Sequence, residues 1–400
     1  MKKIAALILS AIMVVGLLAA CGNSGGTTTA ATTAASGGGS DTQATTTAAA
    51  PANNGQTYNF VVVNHDSPSS MGEKWLETIL GYVAEESNGQ ISFTFNAGGT
   101  LFGATETIDA VKEGSADICW ATTGTYGGRF PASEFINLVG NGIDNAQLGS
   151  AVLNTMYNEL PEVAAEYDGW HVLCLHGTST SPISTVSKKI ETVNDLKGLR
   201  LRVAGSIPTL YVNALGATAV ALPTSEVYDN LSKNALDGMC NDWHNIDCFR
   251  LYEPIKYCMD VPLNMTASMV LMNEDAYNSL PADLQAIFDK YFSSYYAADM
   301  AGYWWDSCRY WVGAEMLANN VEIYEPTEEL EDYLFSDEVL TQTHEGYIDF
   351  LNQKGYDGQA IYDKCMAIVA RYAEAYADVW DAEFNYEDWD AVAEGYQALY

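Results

Sequence analysis

Apolar positions fall into three regimes along the chain. Ile4 to Leu18 form one uncharged run, residues 22–56 carry almost no side chain able to build a core, and from Tyr58 onward apolar residues recur in short strand-like blocks and at helical spacing. The third regime predicts a repeating β-α grammar. Tyr58 to His65 is a continuous apolar run that turns polar at its end, the pattern of a buried parallel strand. Met71, Trp75, Ile79, Leu80 and Val83 predict a helix from Ser70 to Glu86, with Ser69 or Ser70 as its N-cap. A strand over Ile91–Asn96, a Gly98-Gly99 turn, a helix over Thr105–Glu113 and a strand over Ala116–Thr122 follow.

The grammar then repeats. Strands are expected near Trp170–His176, Leu199–Val203, Thr218–Ala221 and Leu236–Asn241, with helices near Pro208–Leu215 and Ser225–Asn234. Lys256–Val261 and Thr266–Met272 read as strands returning the chain to the first sheet. Pro281 to Asn319 reads as one long helix lying across both halves. The expected fold is α/β with two lobes, crossover strands and this spanning helix. The boundaries are lobe one at 57–176, lobe two at 177–262, return strands and long helix at 263–325, and an acidic, aromatic-rich helical region packed outside at 326–400.

The first two regimes concern targeting. Met1-Lys2-Lys3, the apolar run and the small residues before Cys21 read as a signal peptide over 1–20, too short to span a bilayer. Leu18-Ala19-Ala20-Cys21-Gly22 resembles a lipobox, which makes Cys21 the expected acylated residue and residues 21–56 a flexible tether. The protein is then expected outside the cytoplasm, on the outer face of the cell membrane or in a periplasm.

Charge narrows the partners. With 18 basic and 52 acidic side chains the net charge is -34, which makes nucleic acid and anionic lipid surfaces poor partners, and no nucleic acid is expected. Only six arginines are present, at 129, 200, 202, 250, 309 and 371, so any of them at a strand end is a candidate anion anchor. Seven cysteines besides Cys21 show no CxxC spacing and read as buried thiols more readily than as a disulfide framework. The five histidines show no metal spacing, and no metal or cofactor is expected. No nucleophile elbow, zinc helix, dinucleotide turn or phosphate loop occurs, so the chain is not expected to be an enzyme.

Ligands of open α/β sheets bind beyond the C-terminal ends of the strands. Those ends are Asn64-His65-Asp66-Ser67, Ala121-Thr122-Thr123, His176-Gly177-Thr178-Ser179, Arg202-Val203-Ala204-Gly205 and Asn241-Asp242-Trp243. Thr178 is a candidate ligand contact on this ground. Trp243, with Trp120 and Tyr126, is either a cleft wall or plain core.

Asp195-Leu196-Lys197-Gly198-Leu199-Arg200-Leu201-Arg202-Val203 resembles the DLKGLKIRV segment of the DctP family, the solute receptors of tripartite ATP-independent periplasmic (TRAP) transporters. Ala214-Leu215-Gly216-Ala217, Pro223-Thr224-Ser225-Glu226-Val227-Tyr228 and Leu236-Asp237-Gly238 follow in the family's order, and Leu101-Phe102-Gly103 and Val111 to Ile118 resemble its first-lobe pattern. The resemblance implies a receptor for a small organic acid that works with a small and a large membrane subunit. A binding lipoprotein of an ATP-driven (ABC) importer is the alternative.

It also implies that Arg202 grips the substrate carboxylate, as a planar guanidinium fork suits. Arg200, two residues earlier, reads instead as a surface ion pair. Asn241 matches the family's carboxylate-binding asparagine, although the loop reads Met239-Cys240-Asn241-Asp242 where the family has Gln-Glu-Asn-Pro. Asn64 and Glu106 match first-lobe positions that reach ligand, with capping as the other reading of both. The second arginine that many members carry after the strand ending at His176 is absent, which favours one carboxylate with a hydroxylated or aromatic remainder.

Overall fold

The computed structural model describes residues 55–292 and 300–374. The expected signal peptide, Cys21, the expected tether up to Asn54 and residues 375–400 lie outside the described residues. Strands β1 (Tyr58–Val63), β2 (Ile91–Asn96) and β3 (Ile118–Thr122) alternate with helices α1 (Met71–Glu86) and α2 (Thr107–Lys112). Helices α3 (Ala146–Glu159) and α4 (Pro161–Ala164) lead to β4 (His171–Gly177) and β5 (Ile183–Thr185). Then come α5 (Val193–Leu196), β6 (Arg200–Val203), α6 (Ser206–Ala214), β7 (Thr218–Ala221), α7 (Val227–Ser232), β8 (Gly238–Cys240), α8 (Trp243–Cys248) and β9 (Tyr257–Met259). The rest comprises β10 (Ala267–Met272), α9 (Glu274–Asn278), α10 (Ala282–Tyr291), α11 (Met300–Ala318) and β11 (Glu322–Tyr324), ending in α12 (Glu328–Leu334), α13 (Asp337–Gln353) and α14 (Gly358–Tyr372).

The strands form two sheets, β2-β1-β3-β10-β4 and β11-β9-β5-β8-β6-β7. In the first, β1, β2 and β3 are parallel and β10 runs antiparallel between β3 and β4. Period-two alternation sorts its side chains. Phe60, Val62, Trp120 and Val270 face Trp75, Leu76, Ile79 and Leu80 of α1, whereas Val63, Ala121, Met269 and Leu271 face Val152, Leu153 and Met156 of α3. In the second sheet Leu201, Val203 and Cys240 pack on Tyr211, Val212 and Leu215 around α6.

Two short crossovers join the sheets, one between β4 and β5 and the other between β9 and β10, and the chain passes between the sheets a third time from β10 to β11. The two short crossovers are laced to each other, since Thr178 N donates to Thr266 O (3.0 Å), Ser181 N to Asn264 O (2.8 Å) and Thr266 N to Thr178 Oγ1 (2.9 Å). Arg309 on α11 pins one crossover by donating from Nε and Nη2 to Asp260 Oδ2 at 3.0 and 2.6 Å.

Three placements differ from the periodicity reading. The strand expected over Lys256–Val261, observed as β9, stays in the second sheet and only β10 returns to the first, because β9 is held between β5 and β11. The segment Pro281–Asn319 is described as two helices, α10 and α11, with 293–299 outside the described residues. Helix α11 does touch both halves, packing on α3 and on α8. The C-terminal helices are not merely external: Leu330, Leu334 and Val339 enter the second-lobe core and Tyr347, Leu351 and Cys365 that of the first. The seven cysteines among the described residues are all free thiols, six of them buried.

Glu134, beside these C-terminal helices, is fully buried and neither carboxylate oxygen has a hydrogen-bond partner. Burial, reinforced by Glu166, raises its pKa to about 8. The native state therefore holds this proton where the unfolded chain releases it, and stability is lost as pH rises from about 4.5 through about 8. Glu134→Gln should remove this loss, which is on the order of 2–4 kcal/mol between pH 5 and pH 8. Urea denaturation of both proteins at the two pH values checks it; equal pH slopes would contradict the assignment.

Candidate functional site

Strand β6 carries the sequence Arg-Leu-Arg-Val, so Leu201 and Val203 enter the core while Arg202 points to the opposite face near the strand's C-terminal end. There it lines a cavity of about 390 Å3. The cavity is built from the ends of both sheets: Thr122 at the end of β3 and Thr125 after it, Ser206 and Thr209 at the start of α6, Thr224 after β7, and Thr266 on a crossover. Its two sides meet at glycines. A Cβ on Gly124 would lie 2.9 Å from Ala204 O, and Gly205, at φ +97°, approaches Gly124 Cα so closely that its own Cβ would sit 3.1 Å away.

Arg202 is only 3% exposed. It donates from Nε to Leu222 O (3.1 Å), from Nη1 to Asn241 Oδ1 (2.8 Å) and from Nη2 to Thr224 Oγ1 (2.9 Å). A guanidinium has five N–H groups, so one on Nη1 and one on Nη2 remain without a partner among the described residues. The other five arginines each pair with a carboxylate: Asp109, Asp237, Glu253, Asp260 and Glu159. Arg202 has no carboxylate within ion-pair distance among the described residues. Burial lowers its pKa to about 10, with Asp242 opposing, so it stays charged at neutral pH.

Asn241 supplies a third unpartnered donor group. Its Oδ1 must face the guanidinium, which has only hydrogens to offer, and Nδ2 is thereby left buried without a partner. Asp242, one residue on, is committed elsewhere: it caps α8 by accepting from Asn245 N at 3.1 Å.

Of the sequence candidates only Arg202 is among the residues that line the cavity; Asn241 stands behind it, and the others lie apart. Asn64 is consumed by a turn, donating from Nδ2 to Glu73 Oε2 (2.9 Å) and accepting from Asp66 N (3.0 Å). Glu106 is exposed beside Gly103 at the start of α2. Thr178 spends its hydroxyl on the crossover lacing, and Trp243 is buried in the core at the start of α8. His176 offers no cation, since its Nε2 accepts from Trp120 Nε1 at 2.9 Å and burial lowers its pKa to about 4. Arg200 forms a surface pair with Asp237 at 2.8 Å, as its neighbouring position suggested. The residue that sequence reasoning passed over is Thr224, visible only as part of the Pro223-Thr224-Ser225-Glu226 segment.

The bacterial extracellular solute-binding protein family 7 profile (DctP) matches residues 63–334. A monocarboxylate 2-oxoacid-binding periplasmic protein of a Nostoc species is 29% identical over 228 residues, covering 53% of this chain and 59% of that protein. The chain spans about half the length of the curated relatives it matches. A marine-metagenome TRAP solute-binding protein in complex with 3-hydroxybenzoate superposes with a TM-score of 0.74 at 24% identity, covering 79% of this chain and 99% of that one. A TRAP solute-binding protein from Bordetella bronchiseptica with bound mandelate gives 0.70 at 22% identity, covering 78% and 99%. At these identities the likeness to solved structures is one of fold.

A cation buried without a counter-ion costs stability, so Arg202 is held against the interest of the ligand-free fold. Arg202→Met should leave the melting temperature of the ligand-free protein unchanged or raise it, measured by differential scanning calorimetry. A fall of many degrees would make Arg202 a structural residue.

Proposed function

The chain belongs to the DctP family of bacterial extracellular solute-binding proteins, and on that premise we propose that it is the receptor for a small organic acid bound through one carboxylate in the cleft between its sheets. The observation that carries the proposal is the pair of unpartnered N–H groups on buried Arg202 beside the unpartnered Nδ2 of Asn241. A carboxylate has the two acceptor oxygens that such donors lack, and in a closed cleft the bond is charge-assisted and two-pronged. The net charge of -34 repels anions at long range, so the local cation must supply the selectivity.

The rest of the ligand is hydroxylated and compact. Hydroxyls of Thr122, Thr125, Ser206, Thr209, Thr224 and Thr266 line the cavity, and neither a second cation nor an aromatic side chain is among the lining residues. Ligand joins the two sides of the cleft, and the closed form is the one passed to the small and large membrane subunits of a TRAP transporter. The fold neighbours are TRAP receptors, which supports that partner over an ATP-driven importer. The family consists of binding proteins, and no catalytic step is assigned to the cleft. Acylation of Cys21 would hold the receptor at the outer face of the membrane; that residue lies outside the described residues.

Asn241→Asp tests the site by filling it from within. The new carboxylate would accept from Arg202 Nη1, which sits 2.8 Å from the present Oδ1, and would repel the ligand. Affinity for the best-binding hydroxy acid should fall by about 2–5 kcal/mol, roughly thirtyfold to several thousandfold, in calorimetric titration. Near-native affinity in Asn241→Asp would contradict the assignment.

A further inference from the structure

The turn after β1 and helix α8 bring three potential metal-binding side chains together in the interior, from distant parts of the sequence. One donor atom each from Asp66, His244 and Cys248 lies within 4.8 Å of the other two. His244 Nε2 stands 2.8 Å from Asp66 Oδ2, and His65 Nε2 stands 3.7 Å from Asp66 Oδ1. Cys248 Sγ faces the same turn, accepting from Ser67 N at 3.4 Å.

Two further observations point to a ligand at this cluster. Asp66 is completely buried, yet its Oδ1 has no hydrogen-bond partner, and neither has Nδ1 of His65. Gly72, in the first turn of α1, keeps room beside the pair: a Cβ there would lie 3.0 Å from Asp66 Oδ2 and 3.2 Å from the His244 ring. A bare carboxylate oxygen in the interior is costly, and an imidazole offers it at most one proton.

We propose that Asp66, His244 and Cys248 form a three-donor site for a divalent d-block cation of the Zn2+ type, its fourth position left to water. Carboxylate, imidazole and thiolate are the donors such an ion takes, at about 2.0–2.3 Å. Tetrahedral bonds of that length set donors roughly 3.3–3.7 Å apart, a spacing that lies between the 2.8 Å of the Asp66–His244 contact and the 4.8 Å that bounds the three donor atoms. Binding releases the Cys248 thiol proton to solvent, and the resulting thiolate and the Asp66 carboxylate together balance the double charge. The ion ties the segment after β1 in the first sheet to the helix after β8 in the second. Asp66 and His244 are 178 positions apart, which is why no spacing in the sequence announces the site.

The test is titration of the reduced, chelator-stripped full chain with Co2+ as a spectroscopic stand-in for Zn2+. One equivalent should give intense visible d–d absorption and near-ultraviolet thiolate-to-cobalt charge transfer, both removed by added Zn2+. Cys248→Ser should lose the charge-transfer band while keeping the wild-type circular dichroism, and His244→Ala should weaken Co2+ binding at least tenfold. No such spectrum at one equivalent in the wild type, or a charge-transfer band that survives in Cys248→Ser, would overturn the proposal and leave Asp66 and His244 as a buried ion pair.

Discussion

A single buried charge without a counter-ion organises this molecule. Five of six arginines meet a carboxylate from their own chain, and Arg202 meets only neutral acceptors, Leu222 O, Asn241 Oδ1 and Thr224 Oγ1. Folding buries it and leaves two N–H groups without a partner among the described residues, donors that an acceptor in the adjoining cavity would satisfy. Strand alternation places the guanidinium, the parallel β6–β8 pairing sets Asn241 beside it, and the strand ends of both sheets wall the cavity.

The two-sheet architecture serves that charge. The crossovers bond to each other, so the connection between sheets behaves as a short laced ribbon, while Arg309 and Asp260 fasten one end of it to α11. Across the cavity the loops touch at Gly124 and Gly205, where backbone meets backbone and a side chain on either would intrude. Such a contact lets the two sides close to within van der Waals distance and leaves ligand, instead of side-chain bulk, to fill the space between.

Much of the fold was legible because its signals are local. The helix capped by Ser70 is observed over Met71–Glu86 with Ser70 Oγ accepting from Glu73 N, and β2 and β7 fall where alternation and length placed them. Short β5 and β11 were not legible: three residues carry no period, and their pairing with β9 is tertiary. The same limit separates the site residues. Arg202 and Asn241 stand in ordered motifs at strand ends, whereas Asn64 and Thr178 have similar credentials in sequence and are spent on a turn and on the crossover lacing. Only the hydrogen-bond inventory distinguishes a donor that is free from one already used.

The central claim is that the cleft waits for a carboxylate, and matched pairs of ligands test it most directly. Small hydroxy acids and their neutral amides, differing in charge and little else, can be compared by the melting temperature they confer on the wild-type protein. Ligand at a hundredfold excess over its dissociation constant adds about 2.7 kcal/mol to stability, a readily measured shift. The account predicts a rise for one class of acids and none for the corresponding amides. Equal shifts for acid and amide would show that the Arg202 charge does not govern recognition.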